Sequence, residues 1–141
     1  VEEEQRMAEA GDGVAMWQLG VAHLYGFHGL AQDQAKAFEW YTKSHEAGCA
    51  SGTAGVGDCL IRGHGVEKCS TLGLLRLAAA AQGGSQFACY HLGFFAEDGH
   101  HGMPKDLAVA REYYSKVAGA SIKDAPGAAV DAANWLRCNP A

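Results

Sequence analysis

The sequence predicts an all-α fold, a stack of tandem helix-turn-helix units, and three observations carry that expectation. Leu19-Gly20, Val56-Gly57 and Leu92-Gly93 mark one point in three copies, with the glycines 37 and 36 residues apart. A repeat of that period is the signature of stacked helical pairs. Each mark is followed by a turn built on glycine and histidine: Gly26-Phe27-His28-Gly29, Gly63-His64-Gly65 and Gly99-His100-His101-Gly102. After each turn come Asp33, Cys69 or Asp106, then a small residue (Ala37, Gly73 or Ala110). Copies one and three add an aromatic pair, Trp40-Tyr41 and Tyr113-Tyr114.

Composition bounds the class. An apolar fraction of 48% in 141 residues is enough to build a core, and one domain over 1–141 is expected. Eleven basic residues against sixteen acidic ones give a net charge of −5. No Lys/Arg cluster follows a face, which argues against nucleic-acid binding. No apolar run reaches the length of about 18 residues that a membrane helix needs, and the acidic N-terminus does not resemble a signal peptide. Five cysteines at irregular spacings do not form a disulfide framework. Thiols in a soluble protein of a reducing, cytoplasmic compartment are expected.

Taken in order, residues 1–10 read as the end of a preceding helix, because Ala8-Glu9-Ala10-Gly11 aligns with His45-Glu46-Ala47-Gly48. The first copy covers about 11–47. Its helix A is expected from Gly13 to Tyr25, with Ala15, Met16, Leu19, Gly20 and His23 on one side. Its helix B runs from Asp33 to Glu46, with the Asp33 carboxylate accepting first-turn N–H groups. The glycines between them suit the left-handed residue that ends a helix. A glycine in mid-helix costs roughly 1 kcal/mol against alanine. The expected compensation at Gly20, Gly57 and Gly93 is close approach of helix B, with Ala37, Gly73 or Ala110 opposite.

The second copy, 48–83, departs most. Gly48, Gly52, Gly55 and Gly57 crowd its helix A, and Arg76-Leu77 replaces the aromatic pair. It reads either as a central unit held by both neighbours or as a hinge or docking point. The third copy, 84–118, keeps the pattern through Ala88, Leu92, Gly93, Asp106, Ala110 and Tyr113-Tyr114. In 119–141, Asp124-Ala125-Pro126 reads as a helix start. The helix after it presents Val130, Ala133, Trp135 and Leu136 as a cap on the stack, or as part of a fourth copy.

With AxxxLG, the Gly-x-Gly turn, the Asp, the small residue and the aromatic pair in place, 11–119 resembles the Sel-one-like repeat family, a relative of the tetratricopeptide repeat. The resemblance implies a right-handed α/α superhelix serving as an interaction scaffold or adaptor, with no cofactor and no catalysis. It also implies a concave groove lined by helix A, at set offsets from the small glycine. On that basis copy one presents Val14, Trp17, Val21, Leu24 and Tyr25. Copy two presents Ser51, Ala54, Asp58, Ile61 and Arg62, and copy three presents Phe87, Tyr90, Phe94, Glu97 and Asp98. Glu97 and Asp98 stand near a helix C-terminus, where the dipole disfavours negative charge, and this suggests a functional demand.

His28, His64, His100 and His101 recur in the turns, but zinc prefers four donors and no Cys or carboxylate recurs with them. Cys89 and His91, two apart on one helix, point in different directions, so they do not form a nucleophile–base pair. No nucleotide-binding or hydrolase motif is present. The expected function is a protein- or peptide-binding module without nucleic-acid or membrane partners, with end-to-end self-association open to it. The alternatives are a structural spacer within a larger repeat protein, or a metal-responsive or hydrolytic module using the turn histidines.

Overall fold

Several helices of this chain begin where a short polar side chain takes up first-turn N–H groups. The structure, a computed structural model, describes residues 2–118 and 128–140. Among these residues the regular elements are α1 (Glu2–Glu9), α2 (Gly13–Tyr25), α3 (Gln34–Glu46), α4 (Ala50–Arg62), α5 (Ser70–Gln82), α6 (Gln86–Asp98), α7 (Leu107–Ala118) and α8 (Ala128–Cys138). Asp12 accepts from the N–H groups of Val14 and Ala15 at 2.9 and 3.1 Å, and Asp33 accepts from Lys36 at 3.1 Å. Ser85 caps α6 and Asp106 caps α7 in the same way. Cys49 and Cys69 hold the equivalent places in copy two without a side-chain cap bond. At the other end, Gly26, Gly63 and Gly99 close α2, α4 and α6 in the left-handed conformation, with φ of 71°, 74° and 76°.

The fold is an all-α repeat superhelix. α2 pairs with α3, α4 with α5 and α6 with α7, and each B helix also packs on the next A helix. α4 touches α2 and α6, so the three A helices form one layer. α1 packs on α2, burying Ala8 against Ala15 and Leu19.

The glycines of the repeat do mark close helix approach, but their partner differs from the one expected. A Cβ on Gly20 would lie 2.5 Å from ring carbons of Tyr41, and one on Gly93 would lie 2.8 Å from those of Tyr114. Ala37 and Ala110 are fully buried, yet it is the aromatic ring one turn further along helix B that fills the notch. In copy two the small residue does stand opposite, with the Gly73 carbonyl 2.9 Å from a Cβ on Gly57. Leu77 replaces the ring there and lets the two backbones meet.

Tyr41 is enclosed from both sides, since a Cβ on Gly55 of the next A helix would lie 2.6 Å from the ring. One turn along α3, Ser44 donates to the Gly13 carbonyl at 2.6 Å and occupies the space a side chain on Gly52 would need. The glycines of α4 are therefore contact surfaces for α3 and α5, and every residue from Gly52 to Gly57 is buried. Packing outweighs the poor helical propensity of this segment, which is a regular helix held by both neighbours.

At the C-terminal end the apolar face of α8 is rotated from the one expected. Ala132 is buried, and Trp135 and Leu136 pack with it against the Tyr114 cluster. Val130 is 63% exposed and Ala133 is also exposed. The helix start expected at Asp124-Ala125-Pro126 lies outside the described residues.

Candidate peptide-binding groove

The glycine stripe of each A helix is committed to packing, and this leaves a second stripe for the open face of the A layer. On α2 that stripe is Val14, Trp17, Val21 and Tyr25, three or four residues apart and so stacked along one side. Trp17, Val21 and Tyr25 form one wall of a hollow of about 350 Å³. Ser51 and Asp58 of α4 line it too, and Phe87 of α6 closes the far side. The Tyr41 ring and Gly55 also reach it, so the notch that locks α3 in place borders the hollow. Trp17 and Ser51 continue into a wider depression of about 560 Å³ over the first turns of α2, α4 and α6, bordered by Val14 and Gln86.

Phe27 lines the hollow and was missed in the sequence. It sits in the turn, where helix offsets do not apply, and stacks on Tyr25 with ring centroids 5.5 Å apart. The signal available was its place beside Gly26: the left-handed cap turns the chain back toward its own helix.

Charge in the hollow is matched internally. Arg62 donates through Nε to Asp58 at 2.8 Å, and the Asp58 side chain is only 13% exposed. That bond, over the opposing effect of burial, holds the Arg62 guanidinium above its ordinary range. Asp58 and Arg62 therefore act as one neutral unit.

Three residues expected in the groove belong to the core. Leu24 is 4% exposed, Ala54 2% and Ile61 1%. Leu24 and Ile61 stand four residues after the repeat glycine, which puts them on the glycine's own face. Ala54 stands three before it and packs with Leu77 and Leu92. Leu24 still forms part of the floor of the hollow.

In copy three the expected stripe divides. Phe87 joins the hollow, whereas Tyr90 turns toward α8 and donates to Asp131 at 3.3 Å. Burial first, then the Asp131 charge, raises the Tyr90 phenol above its ordinary range. Glu97 accepts from the Tyr114 hydroxyl at 2.8 Å, so its position near the helix end has a structural reason. Phe94 is 42% exposed and lies parallel to His100, with centroids 5.3 Å apart. Asp98 is exposed and lies 3.7 Å from His100.

The turn histidines are placed by backbone geometry. His28 and His101 hold left-handed conformations with φ of 58° and 55°, each just before a left-handed glycine. Partial burial, then the charges of Lys68, His100 and Arg62, keeps His101 below the ordinary imidazole range. In copy two the turn is one residue shorter. Gly65 there lies against the Gln34 backbone, where a side chain would not fit. Among the described residues no three His, Cys, Asp or Glu side chains are grouped to hold a metal ion.

The Sel1 repeat model matches residues 13–49 and 86–119, together half of the chain. The chain belongs to the Sel1 repeat family. The middle helix pair, α4 and α5, falls between the matched stretches, where the glycines and the lost aromatic pair set the sequence apart. A Sel1 repeat protein from Oxalobacter formigenes superposes with a TM-score of 0.68 at 31% identity, covering 95% of this chain and 97% of that one. The protective antigen c5321 of uropathogenic Escherichia coli, which displays an SLR fold, gives a TM-score of 0.70 at 30% identity. That match covers 82% of this chain and 24% of the antigen. The ERAD-associated E3 ubiquitin-protein ligase component HRD3B of Arabidopsis thaliana is 36% identical over 61 residues, 43% of this chain. The match spans only 9% of that protein's length. Sel1 repeats are non-catalytic scaffolds for protein–protein contacts. No helix among the described residues is long and apolar enough to cross a membrane.

Proposed function

We propose that this chain binds a peptide segment of a partner protein in the hollow between α2, α4 and α6. The observation that carries this reading is the convergence there of Trp17, Val21 and Tyr25 with Phe87, from two different repeats. Aromatic and aliphatic side chains held by a packed scaffold are preorganised anchors, so the ordering entropy of binding falls on the ligand. The volume of about 350 Å³ is at the small end of ligand sites and suits one or two anchoring side chains rather than a whole domain. The membership of HRD3B in a ligase assembly supports an adaptor role.

The test is recovery of partners from a lysate of the source by the wild-type chain and by a Trp17→Ala/Tyr25→Ala variant with an unchanged circular-dichroism melt. Selective loss of partners from the variant is the expected result. Equal recovery by both proteins removes the groove from the mechanism and leaves a spacer role or the convex face.

A further inference from the structure

The outermost described helices keep the register of the repeat. After α1, the backbone N–H groups of Ala10, Gly11 and Asp12 donate to the carbonyls of Arg6, Ala8 and Met7. Those of Ala47, Gly48 and Cys49 donate to Lys43, His45 and Ser44 after α3 in the same way. α1 therefore stands as a B helix, with Glu4 at the place of Tyr41 and Met7 at the place of Ser44. α8 stands as an A helix: it packs on α6 and α7, as α6 packs on α4 and α5. Its Ala132-x-x-x-Leu136-Arg137 runs parallel to Ala15-x-x-x-Leu19-Gly20. Trp135 meets the Tyr114 ring with centroids 4.9 Å apart, where Gly55 meets Tyr41. Arg137 thus holds the place of the repeat glycine.

α3 and α5 each lie between two A helices, whereas α1 among the described helices packs on α2 alone. Ser44, which bonds the Gly13 carbonyl of the preceding A helix, is fully buried, but Met7 in its place is 41% exposed. One turn before Met7, Glu4 lines a hollow of about 300 Å³ with Gln18, Leu19 and Ala22 of α2. On α4 the counterparts of Leu19 and Ala22 are Val56 and Cys59, which are buried against Leu24 and Tyr41 of the preceding copy.

α8 carries a flank of matching chemistry. Val130, Ala133 and Arg137 are exposed, and their spacing of three and four residues makes one stripe. In α2 the places of Val130 and Arg137 are Gly13 and Gly20, which face the Ser44 and Tyr41 turns of α3. The same packing between α8 and α1 sets Val130 against Met7 and Arg137 against Glu4. An apolar pair and an ion pair then stand where the internal copies use a serine and a ring. α1 carries four glutamates and one cation, Arg6, which lies 3.7 Å from Glu3. On α8, Asp131 accepts from Tyr90 of α6, and Arg137 bonds only the neutral amide of Asn134, at 2.7 Å.

We infer that this chain binds a second copy of itself head to tail, α8 of one molecule packing on α1 and α2 of the next as the A helix of a shared pair. The contact is heterologous: each molecule offers one face of each kind, and rows of molecules grow from it.

Sedimentation under reducing conditions, which keep the exposed Cys69 and Cys138 from linking molecules, reads the association. At low salt the weight-average mass is expected to rise above 14.8 kDa between about 10 μM and about 1 mM, the range in which small interfaces come apart. Glu4→Arg and Arg137→Glu each set like charges at the crossing and should weaken association about tenfold or more. An equimolar mixture of these two variants restores opposite charges at alternating junctions and should recover the wild-type mass. Val130→Asp, a change at an exposed position, should weaken association by about tenfold, the scale of burying one valine. A constant monomer mass, association that either reversal or Val130→Asp leaves intact, or a mixture no larger than its parts overturns the inference.

Discussion

The Tyr114 hydroxyl donates to Glu97 across 2.8 Å, joining the end of α6 to the middle of α7. Tyr114 is 2% exposed, so its ring is core and its hydroxyl is the link. Tyr114→Phe keeps the ring and deprives a partly buried carboxylate of its donor. A loss of about 1–2 kcal/mol is expected in urea unfolding, with partner recovery unchanged. Unaltered stability would show that Glu97 finds an equal partner in water.

The notch at Gly93 makes a steric prediction. A Cβ there would stand 2.8 Å from the Tyr114 ring, a separation real side chains do not tolerate. Gly93→Ala therefore forces the ring or the helix to move and should cost about 1–3 kcal/mol, despite the better helical propensity of alanine. Gly93→Leu should remove the third copy from the cooperative melt. Calorimetry decides between these outcomes and a harmless exchange.

Three buried acids predict an alkaline limit. Burial, then the charge of Asp58, pushes the Cys59 thiol up to about 12. Burial likewise raises the phenols of Tyr41 and Tyr114, helped at Tyr114 by its bond to Glu97. The neutral forms are favoured in the folded chain. Their contribution is full below the unfolded values, about 8.5 for a thiol and 10 for a phenol, and is lost as pH rises through the folded ones. The urea midpoint should fall steadily above about pH 9. A thiol reagent should label exposed Cys69 and Cys138 while sparing buried Cys59 and Cys89 until unfolding. A flat midpoint, or early labelling of Cys59, would contradict the burial argument.

The cap missing from copy two can be restored. Cys69 holds φ −145° and ψ 93°, close to the −149° and 100° of Asp33. Its N–H bonds the Leu60 carbonyl at 2.8 Å, as that of Asp33 bonds His23 at 2.7 Å. Cys69→Asp should therefore gain the bond that Asp33 makes and add about 0.5–2 kcal/mol. A thermal melt of the single variant measures it.

The helices and their ends were legible because caps and left-handed glycines are local chemistry: Asp33, Gly26 and Gly99 act where their neighbours in sequence alone require them. The glycine notches were legible as close approaches, but not their partners. Ala37 and Tyr41 lie one turn apart on the same face of α3, and spacing names a face without choosing the turn. The first-copy wall of the hollow was readable for the same reason, as one uninterrupted stripe on α2. Copy three was not, because α8 draws Tyr90 aside and Tyr114 engages Glu97, and both are contacts between residues distant in sequence.

The enclosure of Tyr41 also bears on how such an array can change. The ring needs a glycine two places before the repeat glycine of the following copy, and Gly55 supplies it. In the third copy that place is taken by His91, which follows the slimmer Leu77. Neighbouring copies are keyed to one another like links cut in pairs. Deleting the second copy would set Tyr41 against His91, so the array cannot be shortened or reshuffled by whole repeats unless residues on both sides of the new junction change together.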